Sequence, residues 1–594
     1  MSSSDEEILG KAYDARLMRR LLEYLRPYRW QAGLALAAII ANSMLQLVPP
    51  FLMKRAIDQH IAVGRLEGLG LIAVQYMAVL LGSFGLEYLQ TWLMQITGQR
   101  IMYDLRMQIY ARLQRLDLAF YDRNPVGRLM TRVTSDVDVL NDLFTAGVVA
   151  IFGDVFTLAG IMVVMLLMDW RLALTSFAVL PLIMIVTQWF RRNVRESYRT
   201  VRMWIARINA FLQENITGMS TVQLFRREEM NYARFESINA QHRDANIDSI
   251  FYYAVFYPAI EIIGAMAASL IIWYGGLQVM AGTLTLGALV AFLQYSSRFF
   301  RPISDMSEKF NVLQSAMASS ERIFKLIDEP ERITSPAAPV RRDPARSPHI
   351  VFDHVWFAYH REDYVLRDVS FEVLPGGRLG IVGATGSGKT TIINLLMRFY
   401  DVSRGRILVD GTDIRELALE DVRALFGLVL QDVHLFSGSI GANIRLGEAR
   451  LGDSDVRRAA AAVRADQFID RLPAGLETVL GERGASLSVG QKQLLSFARA
   501  LAFDRPVLVL DEATSSVDTD TEIVIRDALE VLMRGRTTVA IAHRLSTIQD
   551  MDRILVLHKG VLRESGTHQE LLTQRGIYFK LYQLQFRETA TKAS

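Results

Sequence analysis

The sequence predicts two domains of different class in one chain: an all-α membrane domain of six helices, then an α/β domain built around a phosphate-binding loop. Three observations predict it. Hydrophobic residues are 51% of the 594 and mean hydropathy is +0.19, too apolar for an ordinary soluble chain. Apolar stretches long enough to cross a bilayer recur through the first half. Beyond residue 349, short β-rich runs alternate with helical ones around a glycine-rich loop. The net charge of +3 says little about partners, and the absence of cysteine excludes disulfides, thiolate metal sites and a cysteine nucleophile. The acidic opening Met1–Glu7 lacks the basic start of a cleaved signal.

Residues 1–30 are expected to form an interfacial element. Leu17, Leu21, Leu22 and Leu25 recur at helical spacing among Arg16, Arg19, Arg20, Arg26 and Arg29, which suits a helix at an anionic membrane surface. A soluble packing helix is the alternative. The membrane domain is expected over 31–328, with spans near 31–55, 67–92, 142–168, 171–190, 251–278 and 285–305. Pro49–Pro50 must interrupt the first, and Gln294 and Ser296–Ser297 make the last less clean.

Spans are paired by short loops, of which Asp169–Arg171 is the tightest. The second-to-third and fourth-to-fifth connections are long, helix-compatible and rich in arginine, from Arg100 to Arg132 and from Arg191 to Arg207. The arginine excess marks that side as cytoplasmic, so these are read as membrane helices continuing far into the cytoplasm. The proline-rich segment 329–348 is a linker, 349–586 the α/β domain and 587–594 a tail.

The chemistry lies in the α/β domain. Gly383-Ala384-Thr385-Gly386-Ser387-Gly388-Lys389-Thr390 follows the strand-like run 379–382 and precedes a helical run from Thr391. In that context the glycines let backbone N–H groups wrap phosphates, Lys389 neutralises them, and the Thr390 hydroxyl is placed for Mg²⁺. Val507–Leu510 reads as a buried strand ending in Asp511 and Glu512. A carboxylate there can hold Mg²⁺ through its water shell, and its neighbour can orient an attacking water.

These motifs stand in the order found in the ATPase domain of ATP-binding cassette (ABC) transporters, which the C-terminal part resembles. Leu487-Ser488-Val489-Gly490-Gln491 is similar to the family signature, and Asp511–Asp518 to the second nucleotide motif running into the D-loop. Ala542-His543-Arg544 resembles the switch segment and Val429-Leu430-Gln431-Asp432 the Q-loop. Tyr359 matches the adenine-stacking aromatic, and Gly481–Gly484 the segment that touches the membrane domain in exporters. Phe120-Tyr121-Asp122 with Gly127–Leu129, Arg132 and Asp136, and then Gly218–Phe225, resemble the two cytoplasmic coupling regions of ABC exporters.

The resemblance implies an exporter half-transporter: an ATPase binding ATP and Mg²⁺ and working with a second half-transporter. ATP would meet Tyr359, Gly383, Thr385, Gly386, Ser387, Gly388, Lys389, Thr390, Thr391, Asp511 and Asp518 of one chain. It would meet Ser488, Gly490 and Gln491 of the other. Glu512, His543 and Gln431 would be catalytic, and Thr390, Gln431 and Asp511 would serve the metal. Val489 departs from the usual glycine, adding bulk and restricting φ beside the phosphates. Altered signatures often sit on the chain of a heterodimer that keeps the catalytic glutamate, so a heterodimer is expected and a homodimer is the alternative.

The expected cargo is an amphipathic or drug-like compound; a lipid flippase and a metal-chelate importer are the alternatives. Membrane lipids are partners and nucleic acid is not. Glu87, Asp154 and Glu261 are acids in or near the spans, with no deep Lys or Arg, and could attract a cationic amphipath or serve only as structural hydrogen-bonding groups. Tyr76, Met77, Tyr252, Tyr253, Phe256 and Tyr257 suit either a plastic pocket or ordinary packing.

Overall fold

A computed structural model describes residues 14–343, 346–511, 519–541 and 548–592. Glu512, Asp518 and His543 lie outside the described residues. Contacts divide the chain into two units: residues up to Gln114 with Gly127–Glu329, and Arg115–Val126 with everything from Pro330 onward.

The first unit is helical. Asp14 caps α1 (Ala15–Glu23), accepting from Arg16 N at 2.8 Å. A 3₁₀ turn holding Pro27 follows, and α2 (Arg29–Gln46) starts afresh. The described part of the expected interfacial element, residues 14–30, is thus split between two helices, since Pro27 cannot donate the bond that continuation needs. The basic side of α1 is also engaged by protein. Arg20 bonds both oxygens of Asp328 at 2.5 and 2.7 Å and lies 4.1 Å from the centre of the Phe324 ring. The guanidinium holds the Asp328 carboxyl below the usual aspartate range.

The diproline interrupts the first span as expected. It falls in the first turn of α3 (Val48–Ala56), where no donor is needed. The Gln46 carbonyl, left without the donor that Pro50 lacks, accepts from Arg298 at 2.7 Å, and the Leu47 carbonyl beside it accepts from the Tyr295 hydroxyl at 2.5 Å.

The next helices are α4 (Leu69–Leu113), α5 (Leu118–Arg123), α6 (Val126–Val133), α7 (Ser135–Asp142), α8 (Val148–Met168) and α9 (Trp170–Phe177). Then come α10 (Leu180–Thr217), α11 (Met219–Leu224), α12 (Glu228–Met280) and α13 (Leu286–Ile327). At 45 and 53 residues, α4 and α12 are about 65 to 80 Å long, more than twice a hydrocarbon core. The long connections are therefore continuations of spans. Five helical stretches among the described residues are apolar and long enough to cross a membrane; α13 is long enough but more polar.

Two substrate hints change. Asp154 on α8 pairs with Lys309 on α13, and both side chains are about four-fifths covered. Lys309 lies just past the expected span 285–305, on a helix that continues beyond the apolar run, so Asp154 has a cationic partner that is itself outside the span. The aromatics of α12 pack: Phe256 stacks on Phe190 at 4.1 Å, and the Tyr253 and Tyr198 hydroxyls lie 3.2 Å apart.

The second unit holds β1 (Ile350–Ala358), β2 (Tyr364–Val373), β3 (Arg378–Gly383), β4 (Arg404–Val409), β5 (Thr412–Asp413) and β6 (Phe426–Val429). After these come β7 (Gly438–Ser439), β8 (Val479–Leu480), β9 (Val507–Asp511), β10 (Thr537–Ile541), β11 (Arg553–His558) and β12 (Val561–Gly566). The antiparallel sheet β2-β1-β4-β5 and the larger sheet β12-β11-β3-β10-β9-β6 share a core of residues such as Phe352, Val369, Ile381 and Val509. In the larger sheet, β11, β3, β10, β9 and β6 run parallel. Buried on both faces, they read as unbroken apolar runs.

The proline-rich segment is laced onto this unit rather than left free. Buried Arg398 donates to Thr334 O at 3.2 Å, and Val340 N donates to Glu416 O at 2.9 Å.

Candidate nucleotide site

Parallel strands bring the phosphate loop and the acidic strand end to one edge. Ile541 of β10 lies level with Ile381 of β3 on one side and with Asp511 of β9 on the other. Val429 of β6 lies level with Leu510, so Gln431 starts the bend just past the same edge. Ligand sites of open α/β sheets form at this edge, beyond the carboxyl ends of the strands. Glu512 is the next residue after Asp511, and His543 follows Ile541 by two.

The loop folds as its glycines require. At Gly383 a Cβ would stand 2.3 Å from Leu557 O and 2.6 Å from Ser387 Oγ. Gly388 caps α14 (Lys389–Leu396) at φ 102°, where a Cβ would stand 2.6 Å from Leu366 Cδ2. Lys389 is buried, with Nζ donating to Gly383 O at 2.8 Å and Ala384 O at 3.3 Å. The ammonium is therefore held inside the curl of the loop.

Ser387 Oγ is buried without a hydrogen-bond partner among the described residues. Such a hydroxyl is costly unless something polar meets it, and a phosphate oxygen in the loop would do so. Thr385, Gly386 and Thr390 are exposed, in or just after the loop. The set fits a nucleoside triphosphate, and Thr390 and Asp511 supply the hard oxygens that suit Mg²⁺.

Tyr359, just past β1, is brought to the same helix. Its hydroxyl bonds Thr391 Oγ1 at 3.2 Å, and its ring is 39% exposed. The ring also meets the edge of Tyr400 at 5.2 Å. Tyr400 in turn donates its hydroxyl to Asp122 of α5. Burial and the adjoining carboxylate push the Tyr400 phenol well above its usual range. Asp117 caps α5, accepting from Phe120 N at 2.9 Å, and Ala119 packs on the core of the ATPase unit. Phe120–Asp122 of the expected first coupling region thus groups with the second unit and is tied to the tyrosine pair, whereas Gly127–Leu129, Arg132 and Asp136 group with the first unit.

Ser488, Gly490 and Gln491 open α15 (Val489–Phe503). Ser488 Oγ accepts from Gln491 N at 3.3 Å, and Gln491 Oε1 accepts from Ser488 N at 2.9 Å, a capping box. Val489 is the first helical residue, and its φ is not left-handed. The expected backbone restriction therefore does not apply. What remains is bulk, since Val489 is 56% exposed beside Ser488.

Sequence reasoning missed the clamp on the segment after Gln431. Buried Asn443 accepts from Phe436 N at 2.8 Å and donates to Phe436 O at 2.8 Å. Arg499 donates to Asn443 O at 2.9 Å and to His434 O at 3.3 Å. An arginine within the apolar run Phe497–Leu501 was the available signal.

Residues 33–303 match the model of the ABC transporter transmembrane region, and residues 366–515 match that of the ABC transporter ATPase. An ATP-dependent lipid A-core flippase of Syntrophus aciditrophicus is 37% identical, over 96% of this chain and 95% of that one. A probable multidrug resistance ABC transporter protein of Bacillus subtilis, YheH, is 36% identical, over 88% and 77%. The structure of a bacterial Atm1-family ABC exporter with ATP bound superposes with a TM-score of 0.78 at 30% identity, covering 94% of this chain and 98% of that one.

Proposed function

The chain belongs to the ABC transporter family, as a multi-pass membrane protein with a cytoplasmic ATPase domain, and from that premise we propose that it exports amphipathic or drug-like compounds as one subunit of a heterodimer. It is an ATP-hydrolysing transporter with the exporter fold. The observation that carries the site is the alignment of the Lys389 loop, Asp511 and Gln431 along one strand edge, with buried Ser387 Oγ meeting no hydrogen-bond partner among the described residues.

In this reading Lys389 and Ser387 hold the phosphates and Tyr359 stacks on adenine. Thr390, Asp511 and Gln431 hold Mg²⁺, which when bound neutralises phosphate charge. Glu512 orients and polarises the attacking water, and His543 contacts the terminal phosphate. Ser488, Gly490 and Gln491 meet the ATP held by the partner chain, and Asp518 lies at the seam. The closed dimer binds ATP more tightly than the open one, and that difference drives closure. The coupling regions carry closure to the spans, which alternate between inward- and outward-facing states.

Val489 supports the heterodimer. Its bulk falls where the partner's phosphates would approach, while this chain keeps Lys389, Asp511, Glu512 and His543. The working site then pairs Glu512 with the sister chain's signature. Purifying the chain alone and with a sister chain tests this: ATPase activity should require both, and full activity from the lone chain would end the proposal.

A second reading, lipid flipping, is favoured by Lys309. A cation beside Asp154 near the inner end of the spans can meet a phosphorylated headgroup, and one relative is named a lipid A-core flippase. Stimulation of ATPase by lipid but not by cationic dyes would select it.

A further inference from the structure

We propose that an anionic phospholipid of the cytoplasmic leaflet binds in a notch between the start of α2 and the middle of α4, separate from the transport path and the nucleotide site. The notch has a volume of about 370 Å³ and is walled by Tyr28, Trp92 and Tyr103, with Gln95, Gln99 and Arg100 along its floor. Tyr88, Trp92, Gln99 and Tyr103 fall on one face of α4 at helical spacing, and the Tyr88 and Trp92 rings stack at 6.2 Å.

Depth follows from chain length. A hydrocarbon core of about 30 Å takes about 20 residues of α4 from Leu69, which ends near Tyr88 to Leu89. Trp92 then sits at the boundary, and Arg100 starts about 12 Å below it. Side chains on a helix lean toward its N-terminus, and the N-terminus of α4 is its outer end, so Arg100 and Tyr103 lean back toward the headgroups. The start of α2 is fixed at the same level: Tyr28 donates to Asp104 at 2.9 Å and Thr97 to Gln31 at 3.5 Å.

Charge selects the occupant. Arg100 is exposed, as are Arg26 and Arg29, which flank Tyr28 in the chain. None of the three makes a hydrogen bond or ion pair with another described residue. The arginines of α1 differ, since Arg20 is already held by Asp328. A phosphodiester takes two parallel bonds from a guanidinium, and the aromatic walls take the glycerol and the first acyl carbons. A zwitterionic headgroup also brings a phosphodiester, but its quaternary ammonium is repelled by Arg26, Arg29 and Arg100, so a lipid of net negative charge is favoured.

The test uses the assembled, full-length protein reconstituted with equimolar phosphatidylcholine and phosphatidylglycerol, with lipid retention after detergent extraction read by native mass spectrometry. Wild type should retain phosphatidylglycerol over phosphatidylcholine. Arg100→Ala should weaken that retention about fivefold, the worth of one arginine at an anionic surface, and Arg100→Lys should restore most of it. Arg199→Ala, an exposed arginine elsewhere on the cytoplasmic extensions, should change nothing.

Equal losses from Arg100→Ala and Arg199→Ala would mean diffuse attraction and overturn the proposal. So would equal retention of the two lipids, or displacement by soluble glycerol phosphate. The chain has no cysteine, so Tyr103→Cys introduces a single thiol. Crosslinking of that thiol to a second copy, with no lipid retained, would assign the notch to a partner helix instead.

Discussion

Lys389 shows how one side chain can carry the phosphate site. Its ammonium is enclosed by loop carbonyls, so Lys389→Ala removes both the charge proposed to meet the phosphates and two hydrogen bonds that shape the loop. ATP binding, read with a fluorescent nucleotide, should fall at least tenfold, about 1.4 kcal/mol or more. Ser488→Ala should act differently. It removes a helix cap worth about 1 kcal/mol, visible as lower thermal stability, and leaves this chain's own ATP binding intact. Val489→Gly should raise turnover of the assembled pair by opening its weaker site. The glycine loop and the acidic strand end were legible because their chemistry is local. The Arg499–Asn443 clamp and the Tyr400–Asp122 bond were not, because each joins segments that only the fold brings together.

Among the elements, α5 and α1 carry the clearest consequences. A single hydroxyl links Tyr400 to Asp122, and Tyr400 touches Tyr359. Tyr400→Phe keeps the ring and loses that link. ATPase activity should persist while its stimulation by substrate falls several-fold; Asp122→Asn, which keeps an acceptor, should stay near wild type. Unchanged stimulation in Tyr400→Phe would show that the bond carries no signal. The α1 clasp has a defined pH dependence. Because Asp328 titrates below its unfolded value of about 3.9, its contribution is complete above that value and fades as pH falls through the lower folded one. Proteolysis at α1 should therefore be flat across neutral pH and rise only in strong acid. Spans and their cytoplasmic continuations were legible from apolar length and from runs free of proline and glycine. The end of α1 was not, since the leucine spacing runs past Glu23 to Leu25 and it is the missing donor of Pro27 that breaks the helix.

For the whole molecule, the chain is half of a machine. Its strand edge holds the phosphate loop and Asp511, and in the proposed function Ser488 meets the nucleotide of another chain. The acids of the membrane domain gave the least legible signal, because a charge is read correctly only with its partner, and Lys309 stands 155 residues from Asp154 in the chain. The most direct test of the account is ATP hydrolysis by the assembled protein in lipid with Mg²⁺, comparing wild type with Glu512→Gln. Wild type should split ATP, and the variant should bind it as tightly while turnover falls by a hundredfold or more, on the order of 3 kcal/mol of barrier. Turnover by Glu512→Gln at the wild-type rate, or a wild type that binds ATP and never cleaves it, would contradict it.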